Sequence, residues 1–82
     1  MRRGRLEILG DILSAAKEPS TKTRIVYNAN LSFSQAEKYL NLLQEEDLIT
    51  SEEKSNKKYE ITDKGREFLK GYRELEYLLS KK

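Results

Sequence analysis

The 82-residue chain has no cysteine, no histidine and no tryptophan. Without cysteine no disulfide can staple a small fold, and a reducing compartment suits it. Thiolate and imidazole metal sites are excluded together. No acidic stretch has the EF-hand spacing that a purely carboxylate site would need. The same absences remove the usual nucleophile–histidine pairs and the commonest general base. The 4 glycines are scattered singly, so no loop cradles a phosphate. Carboxylates and lysines remain, in no familiar catalytic spacing. An enzyme is not expected, nor is a cofactor or a metal. No apolar run approaches the roughly 18–20 residues that span a membrane. The basic start "MRRGRLEILG" is soon interrupted by polar residues, unlike a signal peptide. A cytoplasmic location is therefore expected.

What is present fits one small domain. A chain this short buries only about 60% of its unfolded surface, so a lone core is marginal and a partner is expected. The 16 basic and 14 acidic side chains leave a net charge of +2. With so mild a total, the placement of charges decides what the surface can bind.

Helical periodicity is clear in "RLEILGDILSAA". Leu6, Leu9, Ile12, Leu13 and Ala16 recur on one side and predict a buried stripe. Pro19 cannot continue that helix. Ser20 can cap a second helix over "TKTRIVYNA", with Ile25, Val26 and Ala29 on its apolar side. In "NANLS", Asn28 or Asn30 can end it in the left-handed conformation without glycine. Ser32 with Gln35, or Ser34 with Glu37, forms a capping box for a third helix over about 33–46. Ala36, Leu40 and Leu43 face inward, with Tyr39 at the edge of the stripe.

After Asp47 the pattern turns to short β-type runs, "LIT" and "KYEIT", with the polar tip "SEEKSNKK" between them. Thr62 can cap a last helix running to about Leu79, with Asp63 in its first turn. The predicted order is helix, helix, helix, hairpin, helix. This mainly α, α+β order is that of a winged helix-turn-helix. Residues 1–62 would form the winged-helix core, 52–58 the wing, and 63–82 a C-terminal helix.

Several short motifs carry a family resemblance. They are Lys22-Thr23-Arg24-Ile25, Tyr27, Ala29-Asn30-Leu31-Ser32-Phe33, and Lys38-Tyr39-Leu40, followed by "YEITDKG" from Tyr59 to Gly65. Together they resemble small archaeal winged-helix proteins that include the dimeric ten-kilodalton DNA-binding proteins of Sulfolobus. The resemblance implies a winged helix, a homodimer through the last helix, and DNA binding in a nucleoid-associated role. Longer members have a much longer terminal helix, paired as an antiparallel coiled coil. Here a helix of about 18 residues is expected.

The candidate DNA-binding residues follow. A recognition helix reads bases with its N-terminal half. Here that half presents Ser32, Phe33, Ser34, Gln35, Lys38 and Asn41. Gln and Asn suit adenine, Ser a base or phosphate, Lys guanine or phosphate. Glu37 repels phosphate unless it accepts from a cytosine amino group. The competing reading is a capped, solvated helix face with Phe33 stapled to the core. Glu45, Glu46 and Asp47 oppose the helix dipole, by tenths of a kcal/mol each. They either keep the helix end off DNA or are simply solvated. In the wing, Lys54, Asn56, Lys57 and Lys58 can grip phosphate, or they protect a strand edge, with Glu52 and Glu53 diluting the field. Lys22 and Arg24 lie near a helix start, which attracts phosphate. Arg24 can instead pair with Glu7 or Asp11. Arg2, Arg3 and Arg5 form a basic arm that touches the DNA backbone or frays.

The last helix carries Phe68, Tyr72, Leu75 and Leu79 at alternating four- and three-residue spacing, the seam of a coiled coil. Leu69 is one step off and can face the chain's own core. Tyr77 and Leu78 widen the stripe. Phe68, Tyr72, Leu75, Leu78 and Leu79 are thus expected at a homodimer seam; the alternative is a single helix docked along the first. The expected partners are double-stranded DNA and a second copy. A winged helix used for protein contact without DNA is the rival.

Overall fold

The computed structural model describes residues 4–52 and 57–80. Its elements are α1 (Arg5–Ala15), α2 (Lys22–Ala29), α3 (Phe33–Glu45), β1 (Ile49–Ser51), β2 (Tyr59–Ile61) and α4 (Asp63–Ser80). The order is the expected one. Ile12, Leu13, Ile25, Leu40, Leu43 and Ile49 are fully buried. They join α1, α2, α3 and β1 in one core. Each such side chain contributes about 1.5–3 kcal/mol relative to exposure.

Two expectations for the N-terminal half are corrected. Leu6 does not join the α1 stripe: it is 53% exposed, whereas Ile8 is buried. The helix turns Leu6 toward α4, where it borders a groove with Phe68, Tyr72 and Leu75. Ser20 does not cap α2. Thr21 does, its side chain accepting from the Arg24 amide. Ser20 is buried and pairs with Tyr59 as an isolated antiparallel bridge. Its amide donates to the Tyr59 carbonyl at 2.9 Å, and the Tyr59 amide donates back at 2.7 Å. Its hydroxyl donates to the carbonyls of Ala15 and Glu18. One residue is thereby fully satisfied inside the core.

This bridge makes β2 an interior strand. On one side it pairs with β1, Ile49 opposite Ile61 and Ser51 opposite Tyr59. On the other the Ile61 amide donates to the Ala16 carbonyl at 2.9 Å. Tyr59 and Ile61 are buried and Glu60 between them is half-buried, the alternation read from "KYEIT".

Helices α2 and α3 end alike. Asn30 (φ 56°) and Asp47 (φ 64°) are left-handed. The Leu31 amide reaches back to Val26 and the Leu48 amide to Leu43. The Asn30 and Asp47 amides bond to Tyr27 and Gln44. Both are Schellman closures built without glycine. Of the two asparagines open as terminators, Asn30 is the one used.

The start of α4 is fastened to the end of α3. The Thr62 amide donates to the Leu48 carbonyl at 3.1 Å. The Thr62 hydroxyl donates to the Asp47 carbonyl at 2.7 Å and accepts from the Gly65 amide at 3.0 Å. Lys64 donates to the Glu46 carbonyl at 2.9 Å, placing a cation at the negative end of α3. A Cβ on Gly65 would collide with the Leu48 carbonyl oxygen and lie 2.7 Å from Ile61. Backbone cannot move aside as a flexible side chain can. Gly65→Ala is therefore expected to destabilise the fold by about 1–3 kcal/mol, as overpacking does. A urea titration monitored by far-UV circular dichroism reads this directly; an unchanged midpoint would refute the tight α3–α4 junction.

Candidate nucleic-acid interface

The third helix offers its polar side to solvent. Ala36, Leu40 and Leu43 are buried, and Tyr39 is at the boundary. Phe33, Ser34, Gln35, Glu37, Lys38 and Asn41 are exposed. Ser34, Glu37, Lys38 and Asn41 line one shallow polar depression. Their spacing of three and four residues puts them on one helix face.

The capping ambiguity resolves to Ser32. Its hydroxyl accepts from the Gln35 amide at 3.1 Å, and the Gln35 Oε1 accepts from the Ser32 amide at 3.2 Å. Gln35 thus holds the helix start with the atom that would otherwise accept from a base. Phe33 is 55% exposed, so it is not stapled to the core. Leu31, which precedes the cap, packs against the core instead. That is the usual position of a hydrophobic staple.

Lys22 and Arg24 are not brought together. Two residues apart on a helix of 3.6 residues per turn, they point to different sides. The Lys22 ammonium lies 3.4 Å from Glu37 Oε2, linking the front of α2 to the outer face of α3. This pair is solvent-accessible and worth at most about 1 kcal/mol. Its larger effect is on the field, since Glu37 is balanced by Lys22. Arg24 is exposed and lines a separate cleft with Lys17, Glu18, Pro19 and Asn28. Among the described residues the ion pairs include Lys22–Glu37 and Arg73–Glu76.

At the hairpin, Lys57 and Lys58 are exposed. The Lys57 ammonium sits 5.5 Å from the centre of the Tyr59 ring. The Glu52 amide donates to the Lys58 carbonyl at 3.0 Å, extending the hairpin beyond its strands. Glu53, Lys54 and Asn56, named from the sequence, lie outside the described residues, as do Arg2 and Arg3. Arg5, Glu45, Glu46 and Asp47 are exposed.

Tyr27 is a residue whose placement sequence reasoning missed. It is 87% exposed, on the side of α2 away from buried Ile25 and Ala29. The available signal was its position two residues from each, half a helical turn off the stripe. Among the described residues no group of His, Cys, Asp or Glu is arranged to hold a metal. No described helix is long and apolar enough to cross a membrane.

The architecture and its exposed third helix meet an independent match. A family model described as winged helix-turn-helix covers residues 2–80. The chain belongs to the winged helix-turn-helix family. Among solved structures it is similar to Sso10a-2, a DNA-binding protein from Sulfolobus solfataricus. The identity is 29% and the TM-score 0.81, over 96% of this chain and 87% of that one. It is also similar to Lactococcus lactis ZitR, a zinc-responsive MarR family member, at 26% identity and a TM-score of 0.73. ZitR solved in complex with DNA matches at 22% identity with a TM-score of 0.74. That match covers 98% of this chain but only 58% of the ZitR chain, and it speaks to the fold alone. No curated protein matches the sequence.

The winged-helix assignment makes α3 the recognition-helix position, so its cap is a point of leverage. Ser32→Ala removes the hydroxyl that closes the box, and is expected to lower stability by about 1 kcal/mol. Thermal melts would read this as a lowered midpoint. A melt superimposable on the parent's would mean that the box carries no weight.

Proposed function

We propose that the chain binds double-stranded DNA as a homodimer, acting as a transcriptional regulator or a small chromatin-type protein. The observation that carries the proposal is the outward face of α3. Ser34, Lys38 and Asn41 share one open depression on a helix whose start is locked by a capping box. In a winged helix that helix enters the major groove. Family membership and the likeness to a Sulfolobus DNA-binding protein support the same reading.

In this reading Lys38 and Asn41 address base edges, and Ser34 addresses bases or phosphate. Ser32 and Gln35 chiefly hold the helix start, with the Gln35 amide group turned toward the groove. Phe33 gives an apolar surface for thymine methyl groups. Lys22 and Arg24 approach phosphates on either side of α2, and Lys57 and Lys58, with Lys54 and Asn56, carry the wing to the backbone. Glu37, neutralised by Lys22, limits repulsion from phosphate. The missing cysteine suits a reducing cytoplasm, where such a protein would meet the nucleoid.

The homodimer is proposed through α4, with residues 63–82 as its dimerisation helix and 1–62 as the winged-helix core. Leu75, Leu78 and Leu79 are each more than half exposed. Phe68 and Tyr72 are half-buried against the core, while Leu69 faces fully inward. A two-fold dimer would offer two α3 helices to a roughly palindromic site. The exposed Tyr27 and Phe33 favour one other reading, a protein-contact module without DNA.

Salt separates the two readings. Phosphate contacts release counterions, so affinity for random duplex should fall steeply with salt. Lys57→Ala with Lys58→Ala should weaken binding to all sequences alike, and reduce the salt slope by roughly 1 per lysine. A variant that lost only its sequence preference would overturn the backbone role. No binding even in dilute buffer would favour the protein-contact reading. Leu75→Glu should yield monomers that bind DNA more weakly; light scattering that still reports the mass of two chains would remove α4 from the interface.

A further inference from the structure

Helix α4 has a second face, away from its apolar edge. Arg66, Lys70 and Arg73 recur at four- and three-residue spacing and form one exposed column. Leu75 is nine residues from Arg66, about half a turn round the helix. The column is therefore no part of the apolar edge. Tyr77, expected to widen the apolar stripe, instead lies four residues past Arg73 and two from Leu75. It stands on the cations' side of the helix and is 63% exposed.

A cation from another element converges on this column. Lys17, just past the end of α1, joins Arg66, Leu69, Lys70 and Arg73 around a shallow cleft. Among the described residues the lining holds four cations and no carboxylate. Arg73 is partly offset by Glu76 at 3.3 Å. Like charges three and four residues apart on a helix are destabilising, and a face that only meets water usually alternates its signs. In a chain of net charge only +2, four cations gathered at one place call for an anion opposite them. Lys17 also lines the cleft that holds Glu18 together with Arg24 and Asn28 of α2. Helix α2 in turn packs on α3. Basic side chains thus run in one band from the flank of α3, through Arg24 and Lys17, to α4.

We propose that this band carries the backbone of duplex DNA beyond the α3 contact, so that one duplex is held at α3, at the wing and along α4. The inference rests on the DNA-binding reading above and extends its footprint. The dimensions match. Arg66 to Arg73 is about 10.5 Å of helix, the rise of about three phosphates along one strand. Arg, Lys and the Tyr hydroxyl are all groups that reach phosphate oxygens, and such contacts carry no base information. The band therefore sets the path of the duplex and adds affinity, while base reading stays with α3.

Because the chain has no cysteine, a single introduced one can carry a tethered DNA-cleaving iron chelate. Glu74→Cys places it beside Lys70, and Glu45→Cys places it on α3, one turn past Asn41. The probe is a short random-sequence duplex, with protein in excess over DNA. Both labels should cut it. Cutting from residue 45 but not from residue 74 would overturn the α4 path and leave DNA binding standing. Cutting from neither would overturn the DNA reading as well. Cutting from residue 74 only when duplex is in excess would mean a second duplex, and would overturn the single path. In parallel, Arg66→Gln with Lys70→Gln should weaken binding to random duplex about tenfold at low salt and reduce the salt slope by roughly 2. The thermal midpoint should not fall, since glutamine forms helix as well and the like-charge pair is gone. An unchanged slope would overturn the phosphate contacts.

Discussion

The fold turns on the junction where α3 ends and α4 begins. Leu48 accepts from the Thr62 amide, and Thr62 donates onward to Asp47. Gly65 lets the first turn of α4 lie directly against the Leu48 carbonyl. Lys64 closes the C-terminal end of α3 through Glu46. These contacts join segments about 15 residues apart, on either side of the hairpin. They set the direction of α4 relative to the exposed face of α3. The junction thereby fixes the angle between α3, whose polar side is in solvent, and α4, whose apolar edge is exposed. Of these, the Thr62 amide bond and the missing Cβ of Gly65 hold the junction without depending on any rotamer.

The same economy of local geometry appears at both ends of α3. The entry to α3 is set by Asn30 in the left-handed region, Leu31 turned to the core and the Ser32–Gln35 box. Its exit is set by Asp47 in the left-handed region. Both ends of the helix bearing Ser34, Lys38 and Asn41 are thus closed by the chain's own hydrogen bonds. Electrostatically that face is modest. Glu37 is offset by Lys22, Lys38 is the cation on the face itself, and Arg24 on α2 with Lys57 and Lys58 at the hairpin lie to its flanks. Such a distribution favours contacts at the edges of a groove over a broad coat of positive charge.

The fourth helix is divided along its length and around its circumference. Its first turns are bound into the body through Gly65 and Leu69. Tyr72 lies on Gly10 of α1, where loss of solvent, reinforced by the Glu76 and Glu7 carboxylates, holds its hydroxyl above the usual tyrosine range. From Arg73 to Ser80 the helix is exposed. On this part Leu75, Leu78 and Leu79 form an apolar edge beyond the small core.

What the sequence determined by itself is whatever is encoded within a turn or two of chain. The inward stripe of Ala36, Leu40 and Leu43, the alternation of Tyr59 and Ile61, the Thr62 cap and the inward turn of Leu69 all follow from periodicity and local hydrogen bonding. Even the Ser32 box was legible, although Ser34 offered an overlapping one. The tertiary structure decided the rest. Ser20 reads as a helix cap until Tyr59, far along the chain, offers it a strand partner. Lys22 reads as a free cation until chain reversal brings Glu37 beside it. Leu6 reads as core until the crossing of α1 and α4 leaves it at a groove edge. Local rules act over about four residues, whereas these assignments depend on which distant segment packs beside a buried donor, a charge or a surface, and only the packed chain settles that.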